Sequence, residues 1–292
     1  MNSKELSQKE AELILEKQNE YFNSQTTKDV DFRIAQLKLL KSSIKRYEKQ
    51  IVEALKKDLG KHKCEFYATE IGFVYNSISY IIRNLRRWMR PQKKRTPLFL
   101  MPAKSYVASE PYGSVLIIAP FNYPFQLVFE PLAGALAAGN TAVIKTSELA
   151  PNVSKVVKNL IEETFSGQYV KCVEGGVQTV SELLSLKFGY IFFTGSAQTG
   201  KKVLLEVSAG NVTINDTILH IANHNLPFGG TGNSGIGNYH GKYSFTAFSH
   251  QKGILKKPEM PGFKFMYPPF TEKKSEYHKV VFKISSSKHK FS

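Results

Sequence analysis

The spacing of apolar and polar positions divides this chain into three regions. Across residues 4–58 apolar positions recur at helical spacing, with Leu37, Leu40, Ile44, Ile51 and Leu55 separated by Lys and Glu. Breakers are almost absent there, so the pattern predicts continuous helix, ended at Asp58-Leu59-Gly60 by the left-handed backbone that Gly60 allows. A second helical run covers about 65–90, from Glu65 through Ile71, Ile78 and Ile82 to Met89. Pro91 and Pro97 bracket a basic loop, and residues 105–109 alternate like an exposed strand before the turn Pro111-Tyr112-Gly113.

From Ser114 the grammar changes to short, continuously apolar runs separated by helical ones, the signature of a buried parallel sheet. Strands are expected at 115–119, 141–145, 168–173 and 190–193, with helices at about 124–138, 151–165 and 177–185. Pro151 suits the first turn of its helix. Four strands alternating with three helices predict the α/β class and a Rossmann-like parallel sheet. After Gly200 the pattern loses coherence. Residues 201–208 look helical, 212–216 look like a strand, 226–237 form a glycine-rich loop, and a helix at 239–248 precedes a short strand at 252–256. Residues 257–292 are rich in Pro, Lys and Ser and are expected to be partly disordered.

Composition narrows the class. At 292 residues, 42% hydrophobic and 22% charged, the chain is long enough and apolar enough to bury a core. No run approaches the roughly eighteen apolar residues of a spanning helix. The polar start lacks the plan of a signal peptide. Cys64 and Cys172 give neither a disulfide framework nor metal spacing, and a cytoplasmic location is expected. The net charge of +16 gathers at Arg83, Arg86, Arg87, Arg90, Lys93, Lys94 and Arg95 around Trp88, and again in the tail. Such an excess suits nucleic acid or an anionic membrane, but no nucleic-acid motif accompanies it. A solvated basic face is the expectation.

Candidate chemistry sits at strand ends, where open α/β sheets bind ligands. Pro120-Phe121-Asn122-Tyr123-Pro124 follows the first strand, and its prolines stiffen the loop around Asn122. That amide either donates to a developing oxyanion or caps the next helix. Lys145-Thr146-Ser147-Glu148 ends the second strand and either meets a ribose and phosphate or caps the helix at Pro151. Gly195 to Lys201 spells a phosphate-binding P-loop, but Lys202 stands where Ser or Thr must bind magnesium, so the motif fails. A glycine-opened helix start still suits a pyrophosphate. Gly230-Thr231-Gly232-Asn233-Ser234-Gly235 follows no buried strand, so it reads as a turn-rich loop. Cys172 lies in an apolar strand, where thiols are usually inert, and Cys64 lies in a polar helix junction. His220 and His224 lack a third ligand, so no metal is expected.

Taken together these segments resemble the aldehyde dehydrogenase family, in its class-3-like branch of fatty and aromatic aldehyde enzymes. Residues 111–148 are similar to its P-x-G-x-V-x-x-I-x-P-x-N-x-P block and V-x-K-x-S-E strand end, and Phe192-Phe193-Thr194-Gly195-Ser196 with Gly200 to its F-T-G-S-x-x-x-G. Asn215-Asp216-Thr217, Leu226-Pro227-Phe228-Gly229-Gly230 and Tyr239-His240-Gly241 through Phe248-Ser249-His250 are similar to its carboxyl-terminal signature. The resemblance covers about residues 8–270. It implies oxidation of an aldehyde to an acid with NAD or NADP, through a cysteine thiohemiacetal, hydride transfer and a glutamate-activated water. It also implies an oxyanion role for Asn122, cofactor binding by Lys145, Glu148, Gly195, Ser196 and Gly200, a pocket position for Phe228, and dimers built on carboxyl-terminal strands.

The sequence departs from the family where the chemistry should be. The E-L-G-G-K, G-Q-x-C and E-x-F-G-P segments belong between the two matched halves, yet Gly200-Lys201-Lys202 runs almost at once into Ser208-Ala209-Gly210-Asn211. The expected organisation is therefore amino-terminal helices with a hairpin strand (1–112), a Rossmann-like nucleotide-binding core (113–202), a remnant of the catalytic and oligomerisation region (203–256) and a basic tail (257–292). The chain alone is expected to be inactive or severely impaired, or else a nucleotide-binding or partner-binding remnant pairing with itself or a full-length relative. The four-stranded sheet should keep an open edge, which residues 212–216 are expected to patch.

Overall fold

Two polar side chains split the amino-terminal helical run that apolar spacing alone presents as continuous. In the computed structural model, which describes residues 5–60, 63–97, 101–194, 223–230 and 237–256, α1 spans Gln8–Asn23 and α2 spans Val30–Leu59. Ser7 starts α1 in a reciprocal capping box with Glu10, and the Asp29 carboxylate accepts from the Phe32 N–H at 2.9 Å to start α2. Between them Gln25 adopts φ 66°, which a helix does not tolerate, and a 3-10 turn covers Thr26–Lys28. The apolar spacing resumes beyond the break, which hides it from a periodicity argument. Gly60 then ends α2 at φ 65°, as its sequence position predicts.

The second helical run is α3 (Lys63–Phe66), a π-helical turn (Tyr67–Ile71) and α4 (Gly72–Trp88). The π turn buries Glu70 among apolar neighbours such as Phe66 and Ile71. Its carboxylate accepts from the Phe125 and Gln126 N–H groups at 3.0 and 2.9 Å. Two amide donors at the start of the next helix are thereby satisfied by a residue more than fifty positions away.

Four parallel strands follow the predicted alternation: β3 (Ser114–Ile118), β4 (Thr141–Lys145), β5 (Val170–Val173) and β6 (Tyr190–Phe193). They pair in the order β5-β4-β3-β6, with Ile118 opposite Lys145 and Lys145 opposite Val173. The crossovers are α5 (Gln126–Ala138), α6 (Pro151–Thr164) and α7 (Val177–Leu184). β3 and β4 are buried throughout, as continuous apolar runs require, and α5 is buried on every side. One sheet face is covered by α1 and α7, where Ala11, Leu116, Ile118, Val143 and Leu183 form a core with Leu6 and Phe188 at its rim. α2 packs along α6 and α5. β5 starts two residues later than expected because Tyr169 and Val170 both donate to the Ser166 carbonyl in a turn.

The carboxyl-terminal α8 (Lys242–Ala247) is shorter than the 239–248 predicted, since His240 at φ 97° and Gly241 at φ 53° have left-handed backbone. Residues 5–88 and 110–250 belong to one compact unit. A second unit, to which the described residues 89–97, 101–109 and 251–256 belong, holds most of a three-stranded sheet ordered β1-β2-β7, from β1 (Gln92–Lys94), β2 (Lys104–Pro111) and β7 (Ser249–Lys256). The helix and strand expected at 201–208 and 212–216, the tail 257–292, and residues 231–236 of the glycine-rich loop lie outside the described residues.

Candidate functional site

The carboxyl ends of β3 and β4 bring Asn122 and Lys145 to the same edge of the sheet, since Ile118 and Lys145 are register partners. Asn122 is exposed, and its Oδ1 accepts from the adjacent Tyr123 N–H at 3.0 Å. It does not cap α5. That helix has Phe125 at its N-cap position with no side-chain cap there, and Glu70 serves its amides instead. Among the described residues the Asn122 amide nitrogen has no acceptor, so it is available as a donor.

Lys145 is the last residue of β4, and its side chain is only 3% exposed. An ammonium so enclosed needs an anion, and Glu148 supplies it, with Nζ to Oε2 at 2.5 Å. Desolvation pushes the Glu148 carboxyl up, while the Lys145 hydrogen bond, a backbone N–H and the Lys145 charge together hold it below the ordinary carboxylate range. Glu5 opposes that lowering. The alternative cap reading of this segment fails as well. Ala150 is the N-cap residue of α6, and the Asp58 carboxylate from the end of α2 accepts from Asn152 and Val153 N–H at 3.3 and 2.8 Å. Lys145 and Glu148 are thus left to each other, facing the crevice end of the sheet.

Glu5 completes this end of the site, and sequence spacing gave no sign of it. Its Oε1 accepts from Gly176 N–H at 2.9 Å, and its Oε2 accepts from Thr179 N–H at 2.9 Å and Thr179 Oγ1 at 2.6 Å. These donors lie at the amino end of α7, directly after β5. The Thr179 hydroxyl and the Thr179 and Gly176 amides hold the Glu5 carboxyl low against desolvation, and the Lys145 charge adds a lesser lowering. The only sequence signal was Gly175-Gly176 opening a helix; the carboxylate that meets them is some 170 residues away.

An adenosine ribose fits what these residues offer. A lysine ammonium and a carboxylate side by side suit a vicinal diol, which donates to one and accepts from the other. The Thr146 hydroxyl beside them is buried and has no partner among the described residues. Gly195, Ser196 and Gly200 lie outside the described residues. Cys172 is fully buried within β5, and desolvation pushes its thiol up to about 12. The Cys64 side chain lies outside the described residues. Phe228 bridges Tyr239 through paired backbone hydrogen bonds, and the Tyr239 ring meets Phe192 of β6 edge-on at 5.6 Å. His224 is buried between the rings of His240 and Tyr80, with centroids at 4.5 and 4.9 Å; His220 lies outside the described residues.

The sequence profile of the aldehyde dehydrogenase family matches residues 1–207 and again 202–254. The 4,4'-diaponeurosporen-aldehyde dehydrogenase of Staphylococcus aureus is 55% identical over 194 residues, covering 66% of this chain and 42% of that protein. This chain therefore spans less than half the length of that relative. Aldehyde dehydrogenase family 3 member I1 of Arabidopsis thaliana is 25% identical over 463 aligned positions, covering 95% of this chain and 84% of its own. That alignment is longer than the 292 residues available, so a long stretch of the relative faces no residue here. A substrate-bound Staphylococcus aureus AldH structure is 31% identical with a TM-score of 0.88, covering 93% of this chain and 99% of that one. The NADP-bound succinic semialdehyde dehydrogenase of Streptococcus pyogenes shares the fold at 19% identity and a TM-score of 0.60 over 68% of this chain.

Proposed function

The chain belongs to the aldehyde dehydrogenase family, and from that premise we propose that it keeps the family's nicotinamide-nucleotide site while lacking the centre that oxidises the aldehyde. The observation that carries the first half is the pairing of the enclosed Lys145 with the exposed Glu148 at the end of β4. Lys145 donates to a ribose hydroxyl and Glu148 accepts from its neighbour, while the buried Thr146 hydroxyl and the amino end of α7 shape the same rim. When bound, the nicotinamide would supply a hydride acceptor.

The second half follows from nucleophile chemistry. A thiol must be substantially ionised and reachable to attack a carbonyl. Cys172 is neither, with no exposed surface and an ionisation far above neutral pH. Cys64 is the remaining cysteine of the sequence, and its surroundings carry none of the family's G-Q-x-C pattern. The double match of the family profile, overlapping at 202–207, supports an internal loss that removed the nucleophile and the base between two retained halves. In this reading the oxyanion role that the family resemblance gives Asn122 has no thiohemiacetal to serve. The decisive measurement is purified chain with NAD and a long-chain or aromatic aldehyde, followed at the NADH absorbance. The expectation is no NADH above the uncatalysed rate; turnover on the order of 1 per second overturns the reading.

One observation favours partner binding alongside. In the three-stranded sheet the edge strand β1 is exposed at every residue and β7 at all but its first. The edge strand of a sheet is a place where a second chain can add a strand. Pairing with itself or a longer relative is read by mass measurement of the purified chain with and without that relative.

A further inference from the structure

We propose that Glu5 makes this site selective for NAD over NADP, by filling the amino end of α7 with a carboxylate of the protein's own. The proposal rests on the nucleotide reading of Lys145 and Glu148 and adds a residue and a specificity to it.

NADP differs from NAD by a phosphate on the adenosine ribose, a group close to doubly charged near neutral pH. Where Lys145 and Glu148 take the ribose hydroxyls, that phosphate must be received in the crevice between the ends of β4 and β5. The two strands are register neighbours there, Lys145 against Val173. The donors at the mouth of this crevice are the Gly176 and Thr179 amides and the Thr179 hydroxyl, at the positive end of α7. All three donate to Glu5. The anion that this helix end favours is already in place, and it is covalently part of the chain.

Charge works in the same direction. Glu5 and Glu148 lie close enough for each to feel Lys145, and Glu5 acts on Glu148. Two carboxylates around one ammonium leave the cluster with net negative charge, so a ribose diol is accepted and a phosphate is repelled. Space agrees with charge. A Cβ on Gly176 would stand 2.8 Å from Glu5 Oε1, and one on Gly175 would meet Thr179 Oγ1 at 2.0 Å. Glu5 is therefore seated against the backbone of this turn, where it occupies the donors that a phosphate would need. The hydrogen bond from Leu6 N–H to Thr179 Oγ1 at 2.9 Å fixes the segment that carries Glu5.

The test is calorimetry of the full chain at neutral pH with NAD, NADP, AMP and 2′,5′-ADP, for the unaltered protein, Glu5→Gln and Glu5→Ala. Glu5→Gln keeps an acceptor oxygen at the helix end while removing the charge, so it separates charge from capping. The unaltered chain should bind NAD at least about tenfold tighter than NADP, and AMP tighter than 2′,5′-ADP by a similar factor. Both variants should shrink that ratio about tenfold, through tighter NADP with NAD little changed, in protein that circular dichroism shows to be folded. An unchanged ratio in a folded Glu5→Gln, or equal affinity of the unaltered chain for NAD and NADP, overturns the proposal and leaves the nucleotide site standing. Absence of binding for all four nucleotides overturns both.

Discussion

The Nδ1 nitrogen of His240 lies 3.1 Å from Oε1 of Glu130, and both residues are fully buried. The same carboxylate oxygen accepts from Ser77 Oγ at 2.7 Å. A carboxylate only accepts, so Nδ1 is the protonated ring nitrogen. This pair ties the carboxyl-terminal turn before α8 to α4 and α5. It is the polar pin by which residues far apart in the chain hold one core.

Among the described residues, removing His240 takes one of two donors from the buried Glu130 carboxylate and leaves only Ser77. His240→Ala should cost about 1–3 kcal/mol of unfolding free energy, the penalty when a buried acceptor loses a hydrogen-bond donor. Urea unfolding at neutral pH reads it. A loss under about 1 kcal/mol would mean that water reaches Glu130 and that the pin carries little.

Stability should fall as the solution is acidified through the histidine range. Desolvation, then His240 and Arg83, hold His224 below its ordinary value of 6.5, with Glu130 opposing. The folded state therefore binds fewer protons than the unfolded state just below pH 6.5, so unfolding gains as pH drops. The loss begins near 6.5 and stops once pH has passed the lowered folded value. Melting temperatures between pH 7.5 and 5 should show this decline, and His224→Phe, which keeps a stacking ring without a proton, should flatten it. An identical decline in both proteins refutes the assignment.

Two helix starts served by remote carboxylates should rank by burial. Glu70→Ala strips two buried amides of their acceptor and should cost about 2–4 kcal/mol. Asp58→Ala removes a partly exposed cap and should cost about 1 kcal/mol. Chemical denaturation of the two variants checks the order, and the reverse order would be evidence against the Glu70 contact.

Gly139 has φ 93°, and a Cβ there would stand 2.4 Å from Arg33 Nη2. The guanidinium cannot yield easily, since it donates to the Thr27 and Ala137 carbonyls, and burial already pulls its ionisation down to about 10. Gly139→Ala should therefore destabilise by more than about 1 kcal/mol. Gly253→Ala, which meets nothing within 4 Å, is the control and should differ little from the unaltered chain. Equal melting temperatures for the two would contradict the clash.

Lys145→Met keeps the stem of the side chain and removes its charge. Binding of NAD and of AMP should weaken together, by about tenfold or more, the worth of a charged hydrogen bond. Calorimetry decides it, and undiminished AMP binding would place the adenosine elsewhere.

The parallel sheet was legible because β3 and β4 are buried on both faces, which forces the continuous apolar runs at 115–119 and 141–145. Asn122 and Lys145 were legible because strand ends can be located from those runs. The break at Ser24–Asp29 was not, since polar capping residues leave the apolar period undisturbed. Nor were Glu5, Glu70 and Asp58, each of which acts on a backbone amide far along the chain. An amide donor carries no side-chain signature, and its acceptor is chosen by proximity in space.

The sequence by itself determined the order of strands and helices, the family-like strand ends and the scarcity of cysteine, because these depend on local periodicity and on residue identity. Only the tertiary structure decided that Asn122 is no helix cap, that Cys172 is sealed against ionisation, and that Glu5 closes the end of α7 beside Lys145. Those outcomes depend on which groups lose water together, and desolvation is a property of the packed molecule.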